Sequence, residues 1–230
     1  MGINRLCLTV IYTTVDSRII ELGHLSNAID TLDPTRQCVV FQIFPFVATH
    51  CLNNHMKDWH KRYRYSGLGK QMPQLLEFIY LHELQQKTVL DFGCGKGGTM
   101  SWLQGLYPNI TVKGWDIGTQ KYRRRPRDTE FDAIYSIDCL EHIERADLPD
   151  AIVNLKRISG PGCAWCHIID MTPAKKLLPD GRNCHVTLMT ATEWQAQFEA
   201  WDCSGMQMRV FKQPDPNFGV RSRCVIHCRP

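Results

Sequence analysis

The sequence predicts an α/β protein, a three-layer doubly wound sandwich whose mostly parallel sheet ends in an antiparallel C-terminal hairpin. Three observations carry this reading. Beyond Met56, short apolar runs alternate with amphipathic helical stretches, the order of parallel strands joined by crossover helices. One of those runs, Thr88 to Phe92, opens directly into a glycine cluster from Gly93 to Gly98. Finally, Met206 to Lys212 and Val220 to Cys228 flank a Pro-Asp-Pro-Asn-Phe-Gly connection, a turn that returns one strand beside the other.

Each element follows from its own pattern. Gln71 to Leu84 sets Leu75, Leu76, Ile79 and Leu84 along one helical face, with Pro73 placed in the first turn where its missing N–H costs nothing. Thr88 to Phe92 reads as a short buried strand, Thr99 to Leu106 as the helix after it, and Thr111 to Trp115 as a second strand. Phe131 to Ser136 is a further strand, and Leu148 to Ile158 an amphipathic helix. Pro161-Gly162 turns the chain into the strand Cys163 to Ile169. The helix Thr192 to Ala200 is expected to be capped by Thr190 or Thr192.

Composition narrows the class. Of 230 residues, 43% are apolar and 22% charged, and the formal net charge is +4, ordinary values for a globular protein. That charge is too mild to argue by itself for a nucleic-acid partner. Eleven cysteines match no disulfide-rich module, and the first residues lack the order of a signal peptide. The apolar stretch from Val39 to Val47 is broken by Gln42 and Pro45 and is too short to span a bilayer. A cytoplasmic protein without membrane association is expected, with residues 1–55 as an N-terminal extension and 56–230 as the α/β domain.

The segment Asp91-Phe92-Gly93-Cys94-Gly95-Lys96-Gly97-Gly98 holds the strongest chemical signal. Glycines after a strand let the backbone turn tightly and approach a ligand without a Cβ in the way. Asp116, at the end of the next strand, suits a carboxylate that accepts ribose hydroxyls. Gly93, Gly95 and Gly98 also satisfy the dinucleotide-binding spacing, so a nicotinamide cofactor is the alternative. Asp91 decides against it, because a carboxylate there offsets an ammonium and repels a pyrophosphate.

On these residues the chain resembles the class I methyltransferase superfamily. Leu90 to Gly97 looks like its first motif, and Trp115-Asp116 like its acidic second-strand end. Ile137-Asp138-Cys139-Leu140-Glu141-His142-Ile143 resembles the segment after the family's fourth strand in small-molecule members. The resemblance implies a Rossmann-like methyltransferase fold, with residues 56–230 as the methyltransferase domain. It implies S-adenosyl-L-methionine as cofactor, held by Asp91, Gly93, Cys94, Gly95, Asp116 and Ile117. Asp138 and Cys139 would border its methionine end, and His142 would face the acceptor. Ala174 to His185, with Trp194 beyond, resembles a narrower group of compact bacterial and phage methyltransferase-like proteins. The stretch between Asp116 and Phe131 is too short for the usual helix and third strand, so that sheet edge is expected to be trimmed. Asp128 could stand in there for the family's adenine-binding acidic residue.

On the acceptor side, His142 reads either as base or acceptor contact, or as a histidine bonded to nearby backbone. Asp180 to His185 collects a carboxylate, a guanidinium, an amide and an imidazole in one loop. Asp180 and His185 join His142 as catalytic candidates, with Arg182 and Asn183 as substrate contacts; the alternative is a solvated turn around Pro179-Asp180-Gly181. A small-molecule or glycan-like acceptor is expected. Lys121, Arg123, Arg124, Arg125 and Arg127 form a basic run that reads as phosphate contact or as a solvated loop. A nucleic-acid methyltransferase is the rival reading, disfavoured because no Asn-Pro-Pro-Tyr type motif follows that strand. A non-catalytic cofactor-binding protein is the second. Cys163 and Cys166 lie three apart on a strand, where side chains diverge, so no metal site is expected. The aromatic and basic residues from Trp59 to Tyr65 read as a flap or as ordinary packing.

Overall fold

A computed structural model describes residues 71–126, 131–215 and 219–230, all within one compact unit. Helix α1 spans Pro73–Leu81 and strand β1 Thr88–Phe92, followed by α2, Gly98–Leu106, and β2, Thr111–Trp115. Then come β3 (Phe131–Ile137), α3 (Leu148–Ile158), β4 (Ser159–Asp170) and α4 (Ala191–Ala200). The hairpin is β5, Ser204–Asp215, with β6, Gly219–Arg229.

The six strands form one sheet in the order β2-β1-β3-β4-β6-β5. The first four are parallel neighbours, whereas β6 runs antiparallel between β4 and β5. This is the expected Rossmann-like arrangement. The trimmed edge is also present, since between β2 and β3 the described residues hold only a short 3₁₀ turn, Gln120–Tyr122. Strand β2 therefore lies at the sheet edge.

Alternation along the strands builds the three layers. Val89, Ala133, Tyr135, Cys166 and Val225 face one side and pack with Leu75, Phe78 and Ile79 of α1 and Leu103 of α2. Leu90, Ile134, Trp165 and Ile226 face the other and pack with Leu148, Ile152 and Leu155 of α3 and Trp194 and Phe198 of α4. Burying one such side chain contributes about 1.5–3 kcal/mol, so the two sets fix which face of the sheet each helix covers. Cys163 and Cys166 belong to opposite layers.

Several boundaries differ from the sequence reading, among them the end of α1, the start of β4 and both ends of β5. Helix α1 stops at Leu81, three residues early, because the chain passes through a left-handed Glu83 (φ +51°) into a 3₁₀ turn. Strand β4 begins at Ser159, taking Pro161-Gly162 into the strand, where the pairing with β3 shifts register. Helix α4 is capped by Thr190: its hydroxyl accepts the Glu193 N–H at 3.3 Å, and the Glu193 carboxylate accepts the Thr190 N–H at 2.8 Å. No helix among the described residues is long and apolar enough to cross a membrane. Residues 1–55, the Trp59 to Tyr65 segment, Arg127 and Asp128 lie outside the described residues.

Candidate functional site at the carboxyl edge of the sheet

Strand β1 delivers the glycine turn to the carboxyl edge of the sheet. Gly93, Gly95 and Gly97 all have positive φ. At Gly93 the requirement is also steric, since a Cβ would stand 2.3 Å from the Cys139 sulfur. The turn is held from β2: the Gly93 N–H donates to the Trp115 carbonyl at 2.8 Å, and the Gly95 N–H to the Asp116 carboxylate at 2.8 Å. The other Asp116 oxygen accepts the N–H groups of Gly118 and Thr119, both at 2.9 Å. Ile117, between Asp116 and Gly118, packs against the α3–α4 layer.

Asp91 is buried, 3% exposed, opposite Tyr135 of β3. Burial pushes its carboxyl up to about 7; the Tyr135 hydroxyl pulls it back and the Asp116 charge adds to the rise. No well-formed hydrogen bond closes between them. The Asp91 Oδ2 and the Tyr135 hydroxyl are both buried without a hydrogen-bond partner among the described residues. Two thiols register the same environment. Burial, then Asp91 and Asp116, raise Cys94, while burial, then Glu141, Asp116 and Asp91, raise Cys139. Two carboxylates, Asp91 and Asp116, thus flank the glycine turn, a field that favours a cationic ligand and opposes a pyrophosphate.

Asp138 closes β3 in a left-handed conformation, φ +47°. Its carboxylate is gripped by Arg223 of β6, with Nε and Nη2 each donating at 3.0 Å. Arg223 also bonds Gln213 at 2.8 Å and approaches Asp170 at 3.3 Å. Asp170 is bonded in turn by Arg221, which reaches Asp215. Burial works against ionising Asp170, but the Thr172 N–H and the two guanidiniums hold its carboxyl below the usual range. A cavity of about 200 Å³ adjoins this network, lined by Met72, Gln213, Asp215 and Arg223 among others. Sequence reasoning missed the two arginines. Their alternation on a strand, Arg221 and Arg223 before the buried Val225, was the available signal.

The remaining site residues meet above the sheet edge. His142 lies in a 3₁₀ turn after β3, and its Nδ1 donates to the Cys184 carbonyl at 2.8 Å. His185 donates from Nδ1 to the Thr172 carbonyl at 2.6 Å. The two rings stand 4.8 Å apart at 81°. Neighbouring bonds stitch the two segments together, notably Thr187 N–H to the Glu141 carbonyl at 3.0 Å. The Asn183 carboxamide serves the loop itself: its oxygen accepts the N–H groups of Ala174 and His185, and its nitrogen donates to the Ala174 carbonyl. Arg182 is exposed and joins Asp180 at 2.8 Å to Glu144 at 2.6 Å. Structure therefore brings His142 and His185 together, and leaves Asp180 and Arg182 on the outer rim.

The basic run divides. Lys121 sits 4.9 Å over the Tyr122 ring and Arg125 bonds Asn154, while Arg124 is exposed.

A family model described as a methyltransferase domain matches residues 59–207. No curated protein matches the chain. Among solved structures, phosphoethanolamine N-methyltransferase 2 of Haemonchus contortus, in complex with S-adenosyl-L-methionine, is 11% identical with a TM-score of 0.54. The match covers 76% of this chain and 60% of that one, so this chain spans less than two thirds of that protein. The 1,6-didemethyltoxoflavin-N1-methyltransferase of Burkholderia thailandensis, bound to 1,6-didemethyltoxoflavin and S-adenosylhomocysteine, is 13% identical with a TM-score of 0.54, over 79% of this chain and 86% of that one. At such identities the likeness is one of fold.

Proposed function

The chain belongs to the methyltransferase-domain family, and from that premise we propose that it transfers a methyl group from S-adenosyl-L-methionine to a small-molecule or glycan-like acceptor. The observation that carries this is the pair of buried carboxylates, Asp91 and Asp116, at the glycine turn. Asp91 keeps an unpartnered oxygen there, and the missing Cβ of Gly93 lets the Cys139 side chain pack against the turn. A ligand with an ammonium and a sulfonium suits that field. The solved structures with S-adenosyl-L-methionine or S-adenosylhomocysteine bound support the same cofactor.

Asp91 would hold the cofactor's ammonium, the turn Gly93-Cys94-Gly95 its backbone-facing side, and Asp116 with Ile117 its ribose end. Asp138 and Cys139 would border the methionine end, with Arg223 fixing the direction of the Asp138 carboxylate. When bound, the cofactor supplies an already activated methyl, so the protein's task is chiefly alignment and charge placement. His142 and His185 form the acceptor wall. Each donates its Nδ1–H to a carbonyl, which in a neutral ring leaves the basic lone pair on Nε2. Either ring can then accept a proton from an acceptor hydroxyl or amine. Asp180 and Arg182 would meet the acceptor from the rim, and Asn183 acts by shaping the loop. The eight cysteines among the described residues are free thiols, which supports a reducing, cytoplasmic setting.

Calorimetric titration of the full chain with S-adenosyl-L-methionine and S-adenosylhomocysteine, with NAD as control, tests the proposal. Both sulfur ligands should bind and NAD should not, and Asp116→Asn should weaken binding at least tenfold. A folded protein that binds neither sulfur ligand would end the enzyme reading.

A further inference from the structure

The loop from Thr172 to Thr187 places a cysteine between the two histidines of the acceptor wall. One ligand atom each from His142, Cys184 and His185 lies within 4.8 Å of the other two. A tetrahedral zinc-type ion needs nitrogen and sulfur donors about 3.3–3.6 Å apart, given metal–ligand bonds of ~2.0–2.3 Å. Closing the cluster on an ion therefore takes side-chain shifts of about 1 Å, within reach of small χ rotations. We propose that His142, Cys184 and His185 form a three-ligand site for one zinc-type divalent cation, with a coordination position left for water or the methyl acceptor.

Three further observations support it. Each imidazole already donates Nδ1–H to a backbone carbonyl, Cys184 for His142 and Thr172 for His185. Such an outer-shell bond orients a metal-binding histidine and makes Nε2 the lone-pair nitrogen of its neutral ring. The backbone around the ligands is also set in advance, since Asn183 bonds the His185 N–H at 2.9 Å and Cys184 N–H donates to the Lys176 carbonyl at 3.1 Å. Cys184 and His185 are buried at 4% and 6% exposure, whereas His142 is half-buried, so the cluster is sheltered but keeps one approach. Two imidazoles and a thiol select zinc, cobalt or another borderline metal over magnesium or calcium, which prefer oxygen donors. On binding, the Cys184 proton passes to solvent and the thiolate takes its place on the ion.

The site itself stands on this geometry; its assignment to the acceptor rests on the methyltransferase reading. In the loaded protein the imidazole lone pairs are given to the ion. An acceptor hydroxyl or thiol bound at the open position would then lose its proton more readily than one facing a histidine.

Cobalt(II) is the probe. Full-length protein stripped by a chelator and titrated with Co²⁺ should show, at one equivalent, a near-ultraviolet thiolate-to-cobalt band and intense tetrahedral visible bands, both bleached by Zn²⁺. Cys184→Ser should abolish the thiolate band. His185→Gln should weaken Co²⁺ binding at least ~tenfold, and decides the matter if the serine variant loses its near-ultraviolet circular dichroism. A folded wild type without the thiolate band overturns the proposal, as does a band that survives Cys184→Ser, since the chain has ten other cysteines. S-adenosylhomocysteine binding measured on the same samples separates the two readings: its presence without cobalt binding sinks only the metal site, and the converse sinks only the methyltransferase assignment.

Discussion

Asp91→Asn should remove the pH dependence of cofactor binding while keeping the shape of the site. In the free protein burial lifts the Asp91 carboxyl to about 7, so near neutrality it is only partly ionised. A ligand ammonium is attracted to the ionised form. If that form alone binds, apparent affinity scales with its fraction. The fraction rises roughly eightfold between pH 6 and pH 7.5 for a group titrating near 7. S-adenosylhomocysteine is the better probe, because no sulfonium depresses its own ammonium. Calorimetry at the two pH values should show wild-type affinity increasing by about that factor, worth about 1.2 kcal/mol, and a nearly flat response for Asp91→Asn. Stability has the opposite sign. The folded pKa is raised, so the stabilisation from a protonated Asp91 is complete below pH ~4 and is lost as pH rises through 7. The asparagine variant should accordingly have a higher urea midpoint than wild type at pH 8. A wild-type affinity that is flat between pH 6 and 7.5, or an equal slope in the variant, would refute the role given to Asp91.

Arg223→Ala leaves the buried Asp138 and weakens the hold on Asp170. Breaking one partner of a buried ion pair costs about 3–5 kcal/mol, so chemical unfolding should show a loss of that size; a loss under ~1 kcal/mol would mean the network does not hold the sheet edge. Thr190→Ala removes half of the capping box at α4 and should cost about 1 kcal/mol. Thermal unfolding should register it without any change in S-adenosylhomocysteine affinity, and an altered affinity would tie α4 to the site.

What could be read from the sequence was whatever local chemistry dictates. The short apolar run of Val89, Leu90 and Phe92 before a glycine cluster defines β1 and its turn, because a buried strand and a positive-φ turn are both written in consecutive residues. The apolar positions Leu148, Ala151, Ile152 and Leu155 define α3 for the same reason. The short span after Asp116 foretold the trimmed sheet edge, because a helix and a strand need a minimum length of chain. Asp91 and Asp116 were recognisable because their places are fixed relative to their own strand ends.

Only the tertiary structure could decide which distant groups share a space. Arg223 lies 85 positions from Asp138, and nothing local announces that β6 inserts beside β4 and presses a guanidinium against that carboxylate. Cys184 has no local signal that ties it to His142, 42 positions away; only the fold of its loop brings it within 4.8 Å of both His142 and His185. The same holds for the carboxyl of Asp91, pushed up to about 7 by a burial that only the assembled fold produces. Secondary structure follows short-range sterics and hydrogen bonding, whereas charge pairing, metal geometry and desolvation depend on distances that exist only once the sheet is assembled.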